Sequence, residues 1–243
     1  MMGRAAWPMF PPARALMALA LILLCVWIVD RAARMGWASV QAIEARVSLY
    51  HAMQTNEPMR VQVWNRAREG FTNAIQSDPD NPTYHQGLAD LYLVRLNRMP
   101  GDRSKMAPYY EIALRHYFRA AALRPTWPYS HAGILTVKQQ IGQVDADFKL
   151  ALAMASRYGP AEMAVQEQII FAGYQSWQAL GPDEHGLILG NLMRAWQARP
   201  KQTAQLLTQL KPHLPPCEQL PAALARDLPA ACSALTATPV QPK

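Results

Sequence analysis

Apolar positions in the middle of this chain recur at helical spacing, and the same arrangement occurs twice. The first copy, A-x3-F-x2-A-x4-P, occupies residues 67–79, and the second, with tyrosine in place of phenylalanine, occupies residues 113–125. Residues three or four apart lie on one face of a helix, and the closing proline stops a helix because it lacks an N–H group. A further proline, Pro82 or Pro128, follows three residues later and is tolerated in the first turn of a new helix. The pattern therefore predicts two copies of a helix, a turn and a second helix.

This arrangement resembles the tetratricopeptide (TPR) repeat, in which helices A and B pack as a hairpin and neighbouring hairpins bury one another's apolar faces. The resemblance implies that Phe71 and Tyr117 fill the space between neighbouring units. It gives His85 and His131 equivalent positions and a packing role, and it implies that the protein holds other proteins. The small residues that would let the helices approach closely are Ala67, Ala74, Ala113 and Ala120.

The two copies lie 46 residues apart, whereas a TPR usually repeats every 34 residues or so, about a dozen fewer. The surplus falls between Tyr92 and Ala113, where Pro100-Gly101 is a turn signal. We predict a polar, basic loop over residues 97–105 between helices A and B of that unit. It is either a tolerated surface insertion or a loop that contacts a partner.

Further helices are predicted at 129–141, 145–158, 163–180, 183–199 and 202–210, and no stretch alternates with period two for long enough to form a strand. The predicted fold is all-α, a TPR-like stack of helical hairpins (an α-solenoid) over residues 38–211. An N-terminal segment, residues 1–12, and a transmembrane anchor, residues 13–33, precede this domain.

The anchor is predicted from residues 15–29, which carry no charge between Arg14 and Asp30. This run is shorter than the roughly 20 residues of a full span, but flanking arginines can extend their side chains to the interface. A cleaved signal peptide is the first alternative, but Asp30, Arg31 and Arg34 follow the run and no good A-x-A site does. A buried soluble helix is the second, although the run is apolar on every side.

The C-terminal tail, residues 212–243, holds seven prolines and two cysteines. Cys217 and Cys232 would form a disulfide in an oxidising compartment, or they are two unrelated buried thiols. Arginines on the two sides of the anchor are equal in number close to the membrane, so the positive-inside rule does not decide the orientation. The cysteine pair favours a bacterial inner-membrane protein with its soluble domain in the periplasm.

Charge and motifs exclude several classes of function. The net charge is +7 with 17% charged residues, but the basic groups are spread and form no aromatic-interleaved nucleic-acid surface. They suit an anionic bilayer or an acidic polymer, or they are simply solvated helix faces. No H-E-x-x-H, C-x-x-C, G-x-S-x-G or Walker A sequence occurs. We therefore expect no catalytic residues, no metal site, no cofactor and no nucleic-acid partner.

The inner face of the predicted stack is the candidate binding groove. Its polar and apolar mixture suits a helix or an extended peptide, and it lacks the Lys and Asn residues with which chaperone-type TPR domains hold a C-terminal carboxylate. In the usual register of the TPR family, which the resemblance implies, this face carries Thr83, Gln86, Asp90, Leu93, Tyr129, Thr136, Gln139 and Gln140.

Residues 124–160, RPTWPYSHAGILTVKQQIGQVDADFKLALAMASRYGP, together with the order of anchor, repeats and cysteine-bearing tail, resemble the VpsP-like family of exopolysaccharide biosynthesis proteins. The resemblance covers about residues 60–180. It implies a non-enzymatic, membrane-anchored scaffold in biosynthesis or export of an extracellular polysaccharide, as in a biofilm, with inner-membrane or periplasmic partners. The alternatives are a TPR assembly factor for a pilus, secretion or cytochrome maturation complex, and an enzyme with an unrecognised site.

Overall fold

The computed structural model describes residues 12–55, 58–98 and 103–210, and these residues are helical without a strand. The all-α prediction is confirmed for them. The predicted segment 1–12 (except Pro12), the tail 212–243 and the Cys217–Cys232 pair lie outside the described residues. The helices are α1 (Pro12–Gln54), α2 (Val61–Ser77), α3 (Pro82–Leu96), α4 (Arg103–Leu123), α5 (Pro128–Gln140), α6 (Ala146–Tyr158), α7 (Met163–Gln175), α8 (Pro182–Ala198) and α9 (Pro200–Gln209).

Successive helices pack in pairs, and the pairs stack side by side. The pairs are α1 with α2, α3 with α4, α5 with α6, and α7 with α8, while α9 packs on α8. The first helix of each pair also contacts the first helix of the next, from α1 through α3 and α5 to α7. One apolar core runs through the whole series, so no pair buries its apolar face alone.

The repeated pattern of the sequence explains this stacking and occurs in four helices rather than two. In α2 and α4 its apolar residues are buried, as predicted. The same spacing recurs in α6 and α8, where a branched side chain replaces the central aromatic ring and the four positions are Phe148, Leu152, Ala155 and Pro160, then Ile188, Leu192, Ala195 and Pro200. Both copies carry a larger apolar residue in place of alanine at the first position.

The first helices of successive pairs also begin in the same way. His85 Nε2 lies 2.9 Å from the carbonyl oxygen of Pro79, and His131 Nε2 lies 2.8 Å from that of Pro125. Gln166 donates to the carbonyl oxygen of Pro160 at the equivalent place. These bonds tie the start of α3, α5 and α7 to the end of the preceding helix, which agrees with the predicted packing role of the two histidines.

Two glycines allow the closest contacts between neighbouring pairs. A Cβ atom at Gly87 would lie 2.5 Å from Cε1 of Phe71, and a Cβ atom at Gly133 would overlap the ring of Tyr117. Both rings are almost fully buried. The aromatic residue of one hairpin therefore occupies the space that a side chain of the next hairpin would need.

Two of the predicted boundaries are wrong. The loop predicted over 97–105 is too long at its C-terminal end, because α4 already begins at Arg103. Tyr109 holds this end of α4 in place, since its ring packs 6.3 Å from Trp64 and 5.8 Å from Tyr92. The helix predicted over 163–180 ends at Gln175 and is followed by a single 3-10 turn over residues 177–179.

Helix α1 joins the predicted anchor to the helical domain without a break. Its N-terminal part is long and apolar enough to cross a membrane, and its apolar side chains are exposed. Its C-terminal part packs on α2 through Ala38, Ala42 and Ala45, which are fully buried. Arg31, just after the apolar run, forms a 3.1 Å ion pair with Asp78 at the end of α2. The same helix is therefore the predicted anchor and the first helix of the stack.

Candidate functional site

A cavity of about 240 Å³ lies between α1 and α3, at the start of α5. Helix α1 supplies apolar side chains, α3 supplies polar ones, and residues just before α5 close one side. We call it the α1–α3 cavity, and its lining is Arg46, Leu49, Tyr50, Met53, Phe71, Pro82, Thr83, Gln86, Gly87, Asp90, Arg124 and Trp127.

Two guanidinium groups contribute to this lining. Arg124 lies over the Trp127 ring, 3.9 Å from its centroid, and Arg46 donates to the hydroxyl oxygen of Ser39 at 3.3 Å. Cation–π contact and exposure leave the charge of Arg124 available to a bound group. The cavity thus combines apolar side chains with positive charge.

Asp90 introduces a carboxyl group that is hydrogen-bonded to Tyr117 of α4 and to Gln86 of its own helix. The Tyr117 hydroxyl of α4 donates to it at 2.6 Å, while Gln86 accepts from Trp127 Nε1 at 2.8 Å and from Ser130 Oγ at 3.1 Å. Burial raises the pKa of Asp90 to about 6, although hydrogen bonds from Tyr117 and Gln86 oppose the rise. Gln86 and Asp90 therefore join α3 to α4 and to the start of α5 as well as lining the cavity.

This raised pKa predicts a pH dependence of stability. The folded state holds a proton on Asp90 between the unfolded pKa of 3.8 and the folded value of about 6, so this group's contribution to stability falls as the pH rises through that window. Between pH 4 and pH 6 the loss is about 2 kcal/mol, from roughly 1.4 kcal/mol per pKa unit. The substitution Asp90→Asn should remove this pH dependence of the free energy of unfolding.

The measurement is the free energy of unfolding of wild type and Asp90→Asn at pH 4, 5 and 6. The comparison cancels the opposite contribution of His116, whose pKa burial lowers to about 4. Parallel pH profiles for the two proteins would contradict the prediction.

The structure brings only part of the predicted groove together. Thr83, Gln86 and Asp90 line the α1–α3 cavity, whereas Leu93 is buried in the core. The four predicted residues of α5 bridge to neighbouring elements: Tyr129 donates to Glu162 at 2.6 Å, Thr136 to Gln168 at 3.4 Å, Gln140 to Asn97 at 2.7 Å, and Gln139 to Gln175. In this structure those four side chains connect α5 to α7 and to the end of α3.

Sequence analysis missed the contribution of α1. Tyr50 and Met53 are exposed apolar residues that line the cavity beside Arg46. A usable signal was present, because Leu49 and Met53 lie four residues apart on one face of a helix. The copies of the repeat pattern begin only at Ala67, so the pattern does not include α1.

Other titratable groups meet between α3 and α4. His85 and His116 lie with their Nδ1 atoms 3.0 Å apart and their rings stacked. Burial lowers the pKa of both imidazoles, so the pair is neutral at pH 7 and shares one hydrogen bond. Among the residues that the structure describes, no three His, Cys, Asp or Glu side chains meet in a way that could hold a metal ion.

No model of a protein family matches this chain, and no curated protein matches it at a significant level.

Proposed function

We propose that this protein is a membrane-anchored, TPR-like scaffold that binds a segment of a partner protein in the α1–α3 cavity. The observation that carries the proposal is the continuity of α1, since one helix holds both the apolar run and part of the cavity lining. The membrane segment supplies location, and the cavity supplies a binding surface at a fixed place relative to it.

Four hairpins with one packing pattern support the TPR-like part of the proposal. The recurring buried positions, the two glycine–aromatic contacts and the shared bonds at the starts of α3, α5 and α7 are features of units that stabilise only one another. Proteins of this kind offer extended surfaces to other proteins.

The cavity chemistry favours a particular kind of segment. Tyr50, Met53 and Leu49 suit one apolar side chain of the ligand, and Arg46 and Arg124 suit carboxylate or carbonyl oxygens beside it. We therefore propose a peptide that combines an apolar anchor residue with acidic neighbours.

The resemblance to VpsP-like proteins supports a polysaccharide context for this scaffold. In that context the partners are inner-membrane or periplasmic proteins of a complex that makes or exports an extracellular polysaccharide. The protein itself is then non-enzymatic, single-pass in the bacterial inner membrane, with its soluble domain in the periplasm. A scaffold for a pilus, secretion or cytochrome maturation complex would use the same cavity. The experiment must therefore measure polysaccharide separately from pili, secretion and cytochromes.

The anchor predicts that the chain resists alkaline extraction. The exposed apolar run of α1 should keep the full-length protein in the membrane pellet after carbonate washing, because roughly 0.8 kcal/mol per buried methylene opposes its release. Immunoblots of pellet and supernatant measure this. Recovery of full-length protein in the supernatant would refute the anchor.

The cavity predicts a loss of output when its apolar lining is made polar. Tyr50→Ser combined with Met53→Ser should reduce secreted polysaccharide in a deletion strain as strongly as the empty vector, while sugar-nucleotide pools remain intact. These two side chains are exposed, so the change spares the core. Polymer is quantified from culture supernatants, and protein level from membranes.

Leu150→Ser is the matched control, because Leu150 is an exposed apolar residue of α6 outside the cavity. It should restore full output. Normal polymer in the deletion strain would refute the polysaccharide role, and loss of pili, secretion or cytochromes instead would select the alternative complex. Equal output from the double variant and wild type would refute the cavity as the binding site.

A further inference from the structure

Helix α1 has two apolar faces, and only one of them packs within the chain. The packed face consists of Ala38, Ala42 and its neighbours against α2. On the opposite side, Val40, Ile43 and Val47 are 56%, 53% and 64% exposed. Three branched aliphatic side chains in a row on a solvent-exposed helix face indicate an interaction surface.

The spacing of the exposed face is that of a coiled coil. Its positions alternate by three and four residues, from Ala33 and Gly36 to Val40, Ile43 and Val47. This is the a and d spacing of a heptad. The same steps continue back into the apolar run through Val29, Val26, Ile22 and Leu19. We call these nine residues, 19 to 47, the α1 seam.

Charged residues avoid the seam although they are frequent around it. Asp30, Arg31, Arg34, Glu44 and Arg46 all fall between its positions. Tyr50 continues the spacing but lines the α1–α3 cavity, and Val47 borders a second cavity between α1 and α2, so we end the seam at Val47. The seam is thus an uninterrupted apolar line from the membrane segment into the soluble domain.

Gly36 is a second, independent observation on this face. A Cβ atom there would have no atom within 4 Å, so nothing inside the chain requires a glycine. A glycine in a helix costs about 1 kcal/mol relative to alanine. Small residues such as Gly36 and Ala33 would let a second helix approach the seam closely.

We propose that the α1 seam joins two copies of this chain as a parallel coiled coil. The proposal rests on the anchoring proposed above, because anchors inserted in the same direction place two α1 helices parallel and in register. Two parallel copies present the same row of apolar residues to each other, and a two-fold interface uses the same surface on both subunits. The flanking positions then pair Trp37 with Ala32 and Glu44 with Ser39 of the second copy, so no like charges face each other.

Co-purification of two differently tagged full-length copies from membranes in mild detergent tests the dimer. Wild-type copies should co-purify, and Ile43→Glu should reduce the co-purified fraction at least tenfold, which corresponds to about 1.4 kcal/mol. Leu150→Glu is the matched control, with 55% exposure against 53%, and should have no effect.

Disulfide cross-linking tests the parallel register. In a chain whose Cys25, Cys217 and Cys232 are replaced by serine, Val40→Cys should form a covalent dimer in oxidised membranes. Met35→Cys, exposed on another face of α1, should not.

Wild-type copies that fail to co-purify, or equal loss with Ile43→Glu and Leu150→Glu, would overturn the proposal. So would a Val40→Cys adduct with a different protein instead of a second copy. A chain that resists carbonate but is monomeric would overturn the dimer alone, whereas a chain that carbonate releases would overturn the anchor.

Discussion

Replacing Gly133 with leucine is expected to lower the free energy of unfolding by about 3 kcal/mol, the upper part of the range for overpacked cores. Even a Cβ atom at this position overlaps the ring of Tyr117, which is almost fully buried. The Tyr117 hydroxyl also donates a 2.6 Å hydrogen bond to Asp90, which holds the ring in place. Chemical denaturation of the purified full-length protein in detergent, followed by circular dichroism, measures the change.

Gly186→Leu is the control, since nothing lies within 4 Å of a Cβ atom there. It should be neutral or slightly stabilising, because leucine is a better helix former than glycine. Tyr117→Leu should make room for a methyl group at position 133. The double variant Tyr117→Leu with Gly133→Ala should therefore lose less free energy of unfolding than the sum of the losses of the two single variants. A neutral Gly133→Leu would show that the hairpins do not pack in this register.

Replacing Arg31 with glutamate is expected to destabilise the protein by about 3 kcal/mol, the lower end of the cost of leaving a buried charge without its partner, because the Arg31 side chain is itself 39% exposed. The Asp78 side chain is only 3% exposed, and Arg31 is its ion-pair partner at 3.1 Å. Asn81 also donates to Asp78, at 3.2 Å, but an amide cannot neutralise the charge. The glutamate adds a second negative charge at the same place. Thermal unfolding of the full-length protein measures the loss.

Asp78→Asn in the Arg31→Glu background should recover much of the stability, because it removes the buried charge. Arg34→Glu serves as the control: Arg34 pairs with the half-exposed Asp30 within α1, and an exposed pair contributes less than about 1 kcal/mol. Equal effects of the two arginine changes would contradict the role of Arg31.

The helices and their stacking were predictable because the packing positions are local in sequence. Alanine, aromatic residue, alanine and proline at fixed spacing identified α2 and α4, and the prolines marked where α3 and α5 begin. The early start of α4 was not predictable, because the ring contacts that hold it come from Trp64 and Tyr92, distant in sequence. The turn predicted at Pro100-Gly101 lies outside the described residues, while α3 ends at Leu96 and α4 begins at Arg103.

The candidate site was only half predictable for a similar reason. Thr83, Gln86 and Asp90 follow from the position of α3 in the repeat. Tyr129 and Gln140 are hydrogen-bonded to neighbouring elements. These bonds depend on the distance between α5 and its neighbours, which the sequence pattern of one helix does not reveal. The apolar half of the cavity comes from α1, whose sequence is dominated by the membrane signal.

The unbroken course of α1 sets a distance that any partner must match. Arg46, the cavity residue of α1 nearest to the apolar run, lies 16 residues beyond Asp30, or about 24 Å along the axis at 1.5 Å per residue. With the apolar run in the bilayer, the unbroken helix holds the cavity at this fixed distance from the membrane. A partner embedded in the same bilayer has to extend about seven residues of extended chain to reach the cavity, whereas a partner outside the bilayer approaches it directly.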